Sequence, residues 1–203
     1  MTYNKKDIIL SIVLMIFIIS FAVVFTVFFK QLYYFDINYL NIDKISGLSV
    51  ETIKENYDIL INYQSIFYQG DLNLPDFTMS VAGRIHFQEV KTIFEVIQVS
   101  MLIKEKEYRF LRLTGIITIL IPSILGFLVA IDFDQAFIIF HKLFFRNDFW
   151  IFDYRADPVI TILPETFFMH CFILIVLIIV VFALLCLIFY RYKQKQIISD
   201  TNL

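Results

Sequence analysis

Cysteine, glycine, proline and histidine are scarce in this chain of 203 residues, which has 2 Cys, 5 Gly, 4 Pro and 3 His. Cys171 and Cys186 lie 15 residues apart in one apolar run, which is roughly 22 Å along a helix axis. Bridged Cα atoms lie within about 7 Å of each other, so these two thiols cannot pair. We expect two small buried apolar side chains and no disulfide framework.

Several catalytic signatures are also missing. The sequence contains no G-x-S-x-G, no G-x-x-x-x-G-K, no C-x-x-C and no H-E-x-x-H. The net charge of −2 and the lack of a basic patch with interleaved aromatics exclude nucleic acid as a partner. Three histidines with carboxylates nearby leave a zinc site conceivable, but their spacing does not indicate one, so we predict no metal and no cofactor.

Hydrophobic residues, by contrast, make up 59% of the chain, whereas soluble domains usually carry about 45–50%. Long apolar runs predict transmembrane helices over residues 8–29, 113–131 and 166–190. A fourth span, 86–103, is weaker because it contains charged residues, among them Glu95. Charged residues inside spans usually face a cavity or a partner, so Glu95 is either functional or held for packing alone.

Basic residues decide the topology, because Lys and Arg collect on the cytoplasmic side of short loops. With four spans, the termini and the cluster at 104–112 all fall inside; with three, the cluster and the basic tail would lie outside. We therefore predict one mainly α membrane domain over 1–203. It has four transmembrane helices, N-in/C-in orientation and an extracytoplasmic cap built from 31–85 and 132–165.

The cap segments carry helical patterns of their own. Ser49 is a predicted N-cap and Gly70 a predicted stop for an amphipathic helix between them. A second short helix is predicted over 135–146 and is broken by Asn147 and the residue after it. The apolar stretch 159–163, between two prolines, is expected to dip toward lipid.

All three histidines fall on the outer side of this topology, near span ends. Histidine exchanges protons near neutral pH, so this distribution suggests chemistry at one lipid–water boundary. His86 and Glu89 are three residues apart and share a helix face, where a carboxylate can orient an imidazole as a general base. The alternative is a salt-bridged helix start. His141 lies among phenylalanines and near Trp150, a setting more typical of a packed, hydrogen-bonded histidine than of a catalytic one. Arg155 and Asp157 form either part of a site or a solvated pair.

Three stretches, taken in order, resemble a family of small bacterial four-span membrane proteins, the lipoprotein intramolecular transacylases. The resemblance rests on HFQEVK, FHKLFFRNDFW and DYRADPVITILPETFF, each just outside a predicted span. It covers nearly the whole chain and is more specific in the second outer segment than in residues 31–83.

The resemblance implies an acyltransferase of the bacterial cell membrane whose active site lies at the outer interface. Such enzymes move the sn-2 acyl chain of a diacylglyceryl-cysteine lipoprotein onto the α-amino group of the same cysteine, giving a lyso-form lipoprotein. Their partners are the diacylated lipoprotein and membrane lipid. By position, the two catalytic histidines correspond to His86 and His141, while His170 either replaces His141 in the pair or lines the pocket. The supporting candidates are Arg84, Glu89, Trp150, Arg155 and Asp157.

Two other functions remain open at the level of sequence. A non-enzymatic accessory subunit or sensor would tolerate substitution of the histidines. A metal-dependent membrane hydrolase would lose its activity to chelators, whereas an intramolecular transferase would not.

Overall fold

The chain is described by a computed structural model that covers residues 3–100 and 110–201, and these residues form helices joined by turns, with no strand among them. The predicted mainly α fold is therefore confirmed. The basic cluster 104–109 lies outside the described residues. In chain order the helices are α1 (Lys5–Phe28), α2 (Lys30–Tyr39), α3 (Ile42–Ser46), α4 (Val50–Tyr63), α5 (Val81–Ser100), α6 (Phe110–Ile131), α7 (Phe133–Phe144), a 3-10 helix (Pro158–Ile162) and α8 (Glu165–Thr201).

Helices α1, α5, α6 and α8 form a bundle, in which α1 packs against the other three and α6 packs against α8. Ile18, Ala22 and Ile179 are the buried centre of the α1–α8 contact. Gly115 lets α6 approach α8 closely, because a Cβ at this position would overlap the side chain of Leu187. The packing of the bundle thus depends on small residues where two helices meet.

Two of the described helices, α1 and the Glu165–Gln196 part of α8, are long and apolar enough to cross a bilayer. A third apolar stretch, Phe110–Ile124 in α6, is shorter. Helix α5 fails this test because it carries charged side chains, although its range overlaps the predicted span 86–103. The four predicted spans thus correspond to four helices, of which two have the composition of an independent transmembrane segment.

The N-termini of α1 and α6 lie side by side, since the Ser11 hydroxyl donates to the carbonyl oxygen of Phe110 at 3.1 Å. The late part of α8 joins them through the contact between Gly115 and Leu187. Both chain ends are therefore at the same end of the bundle. The remaining helices cover the opposite end, which we call the cap end.

The core of the cap end is aromatic and well packed. Tyr33 and Tyr57 stack with ring centroids 3.6 Å apart, and Phe167 meets the Tyr33 ring edge-on at 4.9 Å. The Tyr33 hydroxyl donates to the carbonyl oxygen of Ile162 in the 3-10 helix. The stretch 159–163, which was expected to dip toward lipid, instead packs into this core, where Val159 and Ile162 are buried.

The helix predicted between Ser49 and Gly70 begins as expected but ends early. Ser49 caps α4 by accepting from the backbone N–H of Thr52 at 3.1 Å. The helix stops at Tyr63 because the chain then turns around an ammonium group from α5. Lys91 Nζ donates to the carbonyl oxygens of Tyr63, Ser65 and Tyr68 at 2.7, 3.0 and 3.3 Å. Gly70 was therefore the wrong stop, since a residue distant in sequence ends the helix.

Candidate active site

His86 and His141 lie next to each other at the cap end. His86 is in the second turn of α5 and His141 is near the end of α7. Their ring centroids are 6.0 Å apart, and both residues are buried, with 6% and 9% of their surface exposed. Two imidazoles from separate helices therefore lie side by side at the cap end.

Aromatic rings enclose the pair. Phe145 contacts both imidazoles, with centroids 4.7 Å from His86 and 5.6 Å from His141. Trp150 stacks on His141 at 4.7 Å, with 28° between the ring planes. The other rings in contact are Phe87 and Phe152 on His86, and Phe137 and Phe140 on His141. The walls are apolar, so water has little access to the two imidazoles.

Helix α7 fixes the tautomer of His141. Its Nδ1 lies 2.8 Å from the backbone carbonyl oxygen of Phe137, one turn earlier. A carbonyl can only accept a hydrogen bond, so Nδ1 carries the proton and Nε2 is left with a lone pair. Burial lowers the pKa of His141 below its ordinary value, an effect that the bond to Phe137 partly offsets. His141 is therefore neutral at pH 7 and able to accept a proton.

The predicted pairing between His86 and Glu89 is not observed. Glu89 Oε1 instead accepts from Asn147 Nδ2 at 2.8 Å, and His86 Nδ1 is buried with no hydrogen-bond partner in the part of the chain that the structure describes. The spacing of three residues does place both side chains toward α7 and the loop after it. Asn147, which the sequence indicated only as a helix breaker, thus becomes a member of the site.

Asp157 holds the first turn of the helix that carries His86. Its carboxylate accepts from the backbone N–H and the hydroxyl of Ser80, both at 2.7 Å. Gly83 allows this approach, because a Cβ there would overlap the Asp157 carboxylate. The solvated Arg155–Asp157 pair, one of the two alternatives considered, is not found among the described residues. Arg155 is exposed and donates from Nε to the Tyr154 hydroxyl at 3.1 Å.

His170 lies in a separate contact with α2. Its Nδ1 is 2.8 and 2.9 Å from the two carboxylate oxygens of Asp36, which is fully buried. The Tyr39 ring lies 5.9 Å from the imidazole, centroid to centroid. No contact with His86 or His141 is found among the described side chains, so His170 does not replace His141 in the pair. Sequence reasoning missed Asp36, because 134 residues separate it from its partner.

No hydrogen bond or ion pair joins Arg84 to either imidazole among the described residues. Arg84 is exposed and lines an open pocket with residues from the turn before α5, including Leu74 and Met79. Glu95, the charged residue of the weak span, pairs with Lys91 of the same helix at 3.2 Å. Across residues 3–100 and 110–201, no group of three His, Cys, Asp or Glu side chains could hold a metal ion.

Comparison with known proteins identifies the family. A sequence profile of the lipoprotein intramolecular transacylases, Lit, matches residues 8–168. The structure of the membrane integral lipoprotein intramolecular transacylase Lit from Bacillus cereus is 40% identical in sequence. That match covers 96% of this chain and 100% of that chain, with a TM-score of 0.87. No curated protein sequence matches.

Two further structures are variants of the Bacillus cereus enzyme in which one histidine is replaced. The arginine variant is 40% identical and has a TM-score of 0.82, covering 95% of this chain and 92% of that one. The alanine variant is 41% identical, with a TM-score of 0.81 and 94% of each chain covered. The family profile and the solved structures agree over most of the sequence, and the chain belongs to the lipoprotein intramolecular transacylase family, whose members are acyltransferases.

Proposed function

We propose that this enzyme moves the sn-2 acyl chain of a diacylglyceryl-cysteine lipoprotein to the α-amino group of the same cysteine, using His86 and His141. The observation that carries the proposal is the pair itself: two buried imidazoles 6.0 Å apart within aromatic walls. A reacting group that lies over both rings would be within reach of a nitrogen from each. Asp157, Trp150 and Glu89 support this arrangement, and the product is a lyso-form lipoprotein.

His141 is suited to be the base. Its Nδ1 proton is held by Phe137, so Nε2 takes a proton from the cysteine amine as nitrogen attacks the sn-2 carbonyl carbon. His86, whose Nδ1 has no partner among the described side chains, donates a hydrogen bond to the carbonyl oxygen as negative charge develops there.

Protons balance over the reaction. The C–N bond forms as His141 accepts the amine proton, and the bond between the carbonyl carbon and the sn-2 glycerol oxygen then breaks. His141 returns its proton to that departing oxygen, which becomes a hydroxyl group. Both imidazoles end as they began. No covalent acyl-enzyme is required, in keeping with a sequence without a G-x-S-x-G motif.

Positioning and exclusion of water supply the rest of the catalysis. Donor and acceptor belong to one molecule, so holding them in contact can lower the barrier by roughly 7–11 kcal/mol. Phe145, Phe152 and Trp150 shield the imidazoles, which favours attack by the amine over hydrolysis of the ester. An apolar site also suits a substrate whose acyl chains remain in lipid.

The enzyme is proposed to span the bacterial cell membrane four times, through α1, α5, α6 and α8, with both termini in the cytoplasm. The common end of the bundle carries Lys5, Arg191 and Lys193, which favours the cytoplasmic side. The cap end then meets the outer leaflet, where diacylated lipoproteins are anchored. Helix α5 can serve as a span because its charged side chains have partners: Lys91 binds backbone carbonyls at the end of α4 and after it, and Glu89 accepts from Asn147. Membrane lipid is the second partner, and nucleic acid is not one.

Mass spectrometry of a lipoprotein co-expressed with the enzyme tests the proposal, in a host without its own N-acylation of lipoproteins. The wild type should give the N-acylated lyso form, and His86→Ala and His141→Ala should each leave the diacyl form. Gln88→Ala and Lys142→Ala are the controls, since both side chains are exposed on the same two helices. N-acylated lyso-lipoprotein from both histidine variants would disprove the mechanism.

A further inference from the structure

Glu89 presents a carboxylate oxygen that has no partner beside the histidine pair. Oε1 accepts from Asn147, whereas Oε2 is buried and makes no hydrogen bond to any described residue. Buried acceptors are normally paired, because an unpaired one loses its bonds to water without replacement. An unpaired carboxylate oxygen beside a reaction site therefore points to a ligand that donates to it.

The orientation of this carboxylate is fixed from the side of His141. Asn147 Oδ1 accepts from the backbone N–H of Phe149 at 3.1 Å, so its Nδ2 must be the atom that faces Glu89. The carbonyl oxygen of Asn147 accepts from Trp150 Nε1 at 3.0 Å, and Trp150 stacks on His141. One short segment thus positions both the catalytic imidazole and the carboxylate.

The charge of Glu89 is also unmatched. Within residues 3–100 and 110–201, Glu89 makes no ion pair with a cationic side chain. Lys91, two positions along α5, donates instead to three backbone carbonyls and pairs with Glu95 at 3.2 Å. The ligand that best fits Glu89 is therefore a cation carrying N–H donors.

We infer that Glu89 receives the α-ammonium group of the lipoprotein's N-terminal cysteine and holds that nitrogen one helical turn from His86. The inference rests on the proposed acyl transfer, and it adds the residue that binds the nucleophile. An α-amino group has a pKa of about 7.7–8.0, so much of it arrives protonated at neutral pH. It releases one proton to solvent before attack, and the neutral amine still donates an N–H to Glu89 Oε2.

This arrangement also explains how the product leaves. The reaction converts a cationic amine into a neutral amide, so the ion pair with Glu89 is lost when the acyl chain arrives and only one amide N–H remains to donate to the carboxylate. Glu89 therefore favours the substrate over the product. A lipoprotein that is already N-acylated should be a poor ligand for the same reason.

Binding of two unreactive ligands tests the inference. Both are diacylglyceryl-cysteine peptides with ether-linked chains in place of the esters; one has a free α-amino group and the other an N-acetyl group. The wild type in detergent micelles should prefer the free amine by about tenfold or more, since a hydrogen bond between charged groups is lost in the other ligand. In Glu89→Gln this preference should fall to about twofold or less, with affinity for the acetylated ligand unchanged.

Glu55→Gln is the matched control, since Glu55 is exposed on α4, and it should keep the full preference. An undiminished preference in Glu89→Gln, or no preference in the wild type, would overturn the inference. Should Glu89→Gln bind neither ligand, Glu89→Asp decides the question, because it retains the charge and should retain part of the preference. These ligands do not react, so the two proposals fail separately: His141→Ala is expected to lose acyl transfer and keep the preference.

Discussion

Two imidazole sites lie at the cap end, and among the described residues they differ in their partners: His170 Nδ1 binds a buried carboxylate, whereas the buried His86 Nδ1 makes no hydrogen bond. His170 binds both oxygens of the buried Asp36 carboxylate, so its Nδ1 and that carboxylate satisfy each other. His86 and His141 have no carboxylate between them and are walled by aromatic rings. The absence of a carboxylate partner is therefore what distinguishes the proposed catalytic histidines from His170. We expect His170 to stabilise the fold and the other two histidines to bind the substrate.

The largest effect on the rate of acyl transfer is expected when one or both histidines of the pair are replaced. His86→Ala and His141→Ala should each lower the rate of acyl transfer by about 10²–10⁴, the usual range for a general acid or base. The double variant should be no worse than the worse of the two, because groups that act as a unit are not additive. Single-turnover assays on a purified diacyl lipopeptide measure this. Multiplication of the two losses would mean that the imidazoles work independently.

Substitution of His170 should lower the stability of the protein and leave the rate of acyl transfer nearly unchanged. His170→Ala leaves the Asp36 carboxylate buried and without its described partner, which should lower the free energy of unfolding by about 1–3 kcal/mol. Transfer per folded molecule should change less than about threefold, the rate equivalent of under 1 kcal/mol. Thermal unfolding in detergent and the lipopeptide assay separate the two quantities. A loss of rate comparable with that of His141→Ala, at unchanged stability, would contradict the distinction.

The pH dependence of kcat/KM tests whether His141 is a base shielded from water. In the proposed mechanism His141 is a neutral base. Burial lowers its pKa, so its protonation should reduce the rate only below its ordinary value of about 6.5. Above about pH 6.5 the profile should therefore rise to a single break near 7.7–8.0, that of the substrate amine. In Trp150→Ala, which opens His141 to water, a second break should move up toward about 6.5. Its absence would mean that Trp150 does not keep water from the imidazole.

A modest loss of rate is expected from Trp150→Phe. This variant keeps an aromatic ring against His141 and loses the Nε1–H bond to the Asn147 carbonyl. One neutral hydrogen bond contributes about 0.5–1.5 kcal/mol, so the rate should fall by about two- to tenfold. A loss as large as that of His141→Ala would show that the orientation of Asn147, and not only the stacked ring, is essential.

The long helices could be predicted because membrane spans are encoded locally. Apolar runs at 8–29 and 166–190 led directly to α1 and α8, although α8 continues to Thr201. The helices of the cap end were harder to predict, because contacts between residues distant in sequence decide where these helices begin and end. Lys91 binds the carbonyl of Tyr63, the last residue of α4, and two carbonyls of the turn after it, and nothing between Ser49 and Gly70 shows this. Likewise, the predicted stretch 86–103 begins earlier as α5, because Asp157 holds Ser80 at its start.

In the site, too, features set within one short segment could be predicted, whereas contacts between distant residues could not. The motif around His141 correctly grouped His141 with Trp150, because both lie in one short segment. Spacing also placed His86 and Glu89 on one face, but it could not show that Glu89 would bind Asn147, 58 residues away. Arg155 and Asp157 are neighbours in sequence, and yet Asp157 turns inward to Ser80. Side-chain direction in a loop depends on the partners that the fold supplies.

The hydrogen bonds between Asp157 and the start of α5 have a consequence for how this enzyme works in different bilayers. Membranes differ in thickness, and long apolar helices adapt by tilting. Helix α5, which carries His86, is linked to the segment 145–157 by two hydrogen bonds. The Ser80 backbone N–H donates to Asp157, and Asn147 Nδ2 donates to Glu89. Helix tilting should therefore carry both imidazoles along as one rigid piece. We expect lipid composition to alter how easily the substrate enters, while the spacing of the reacting groups stays constant.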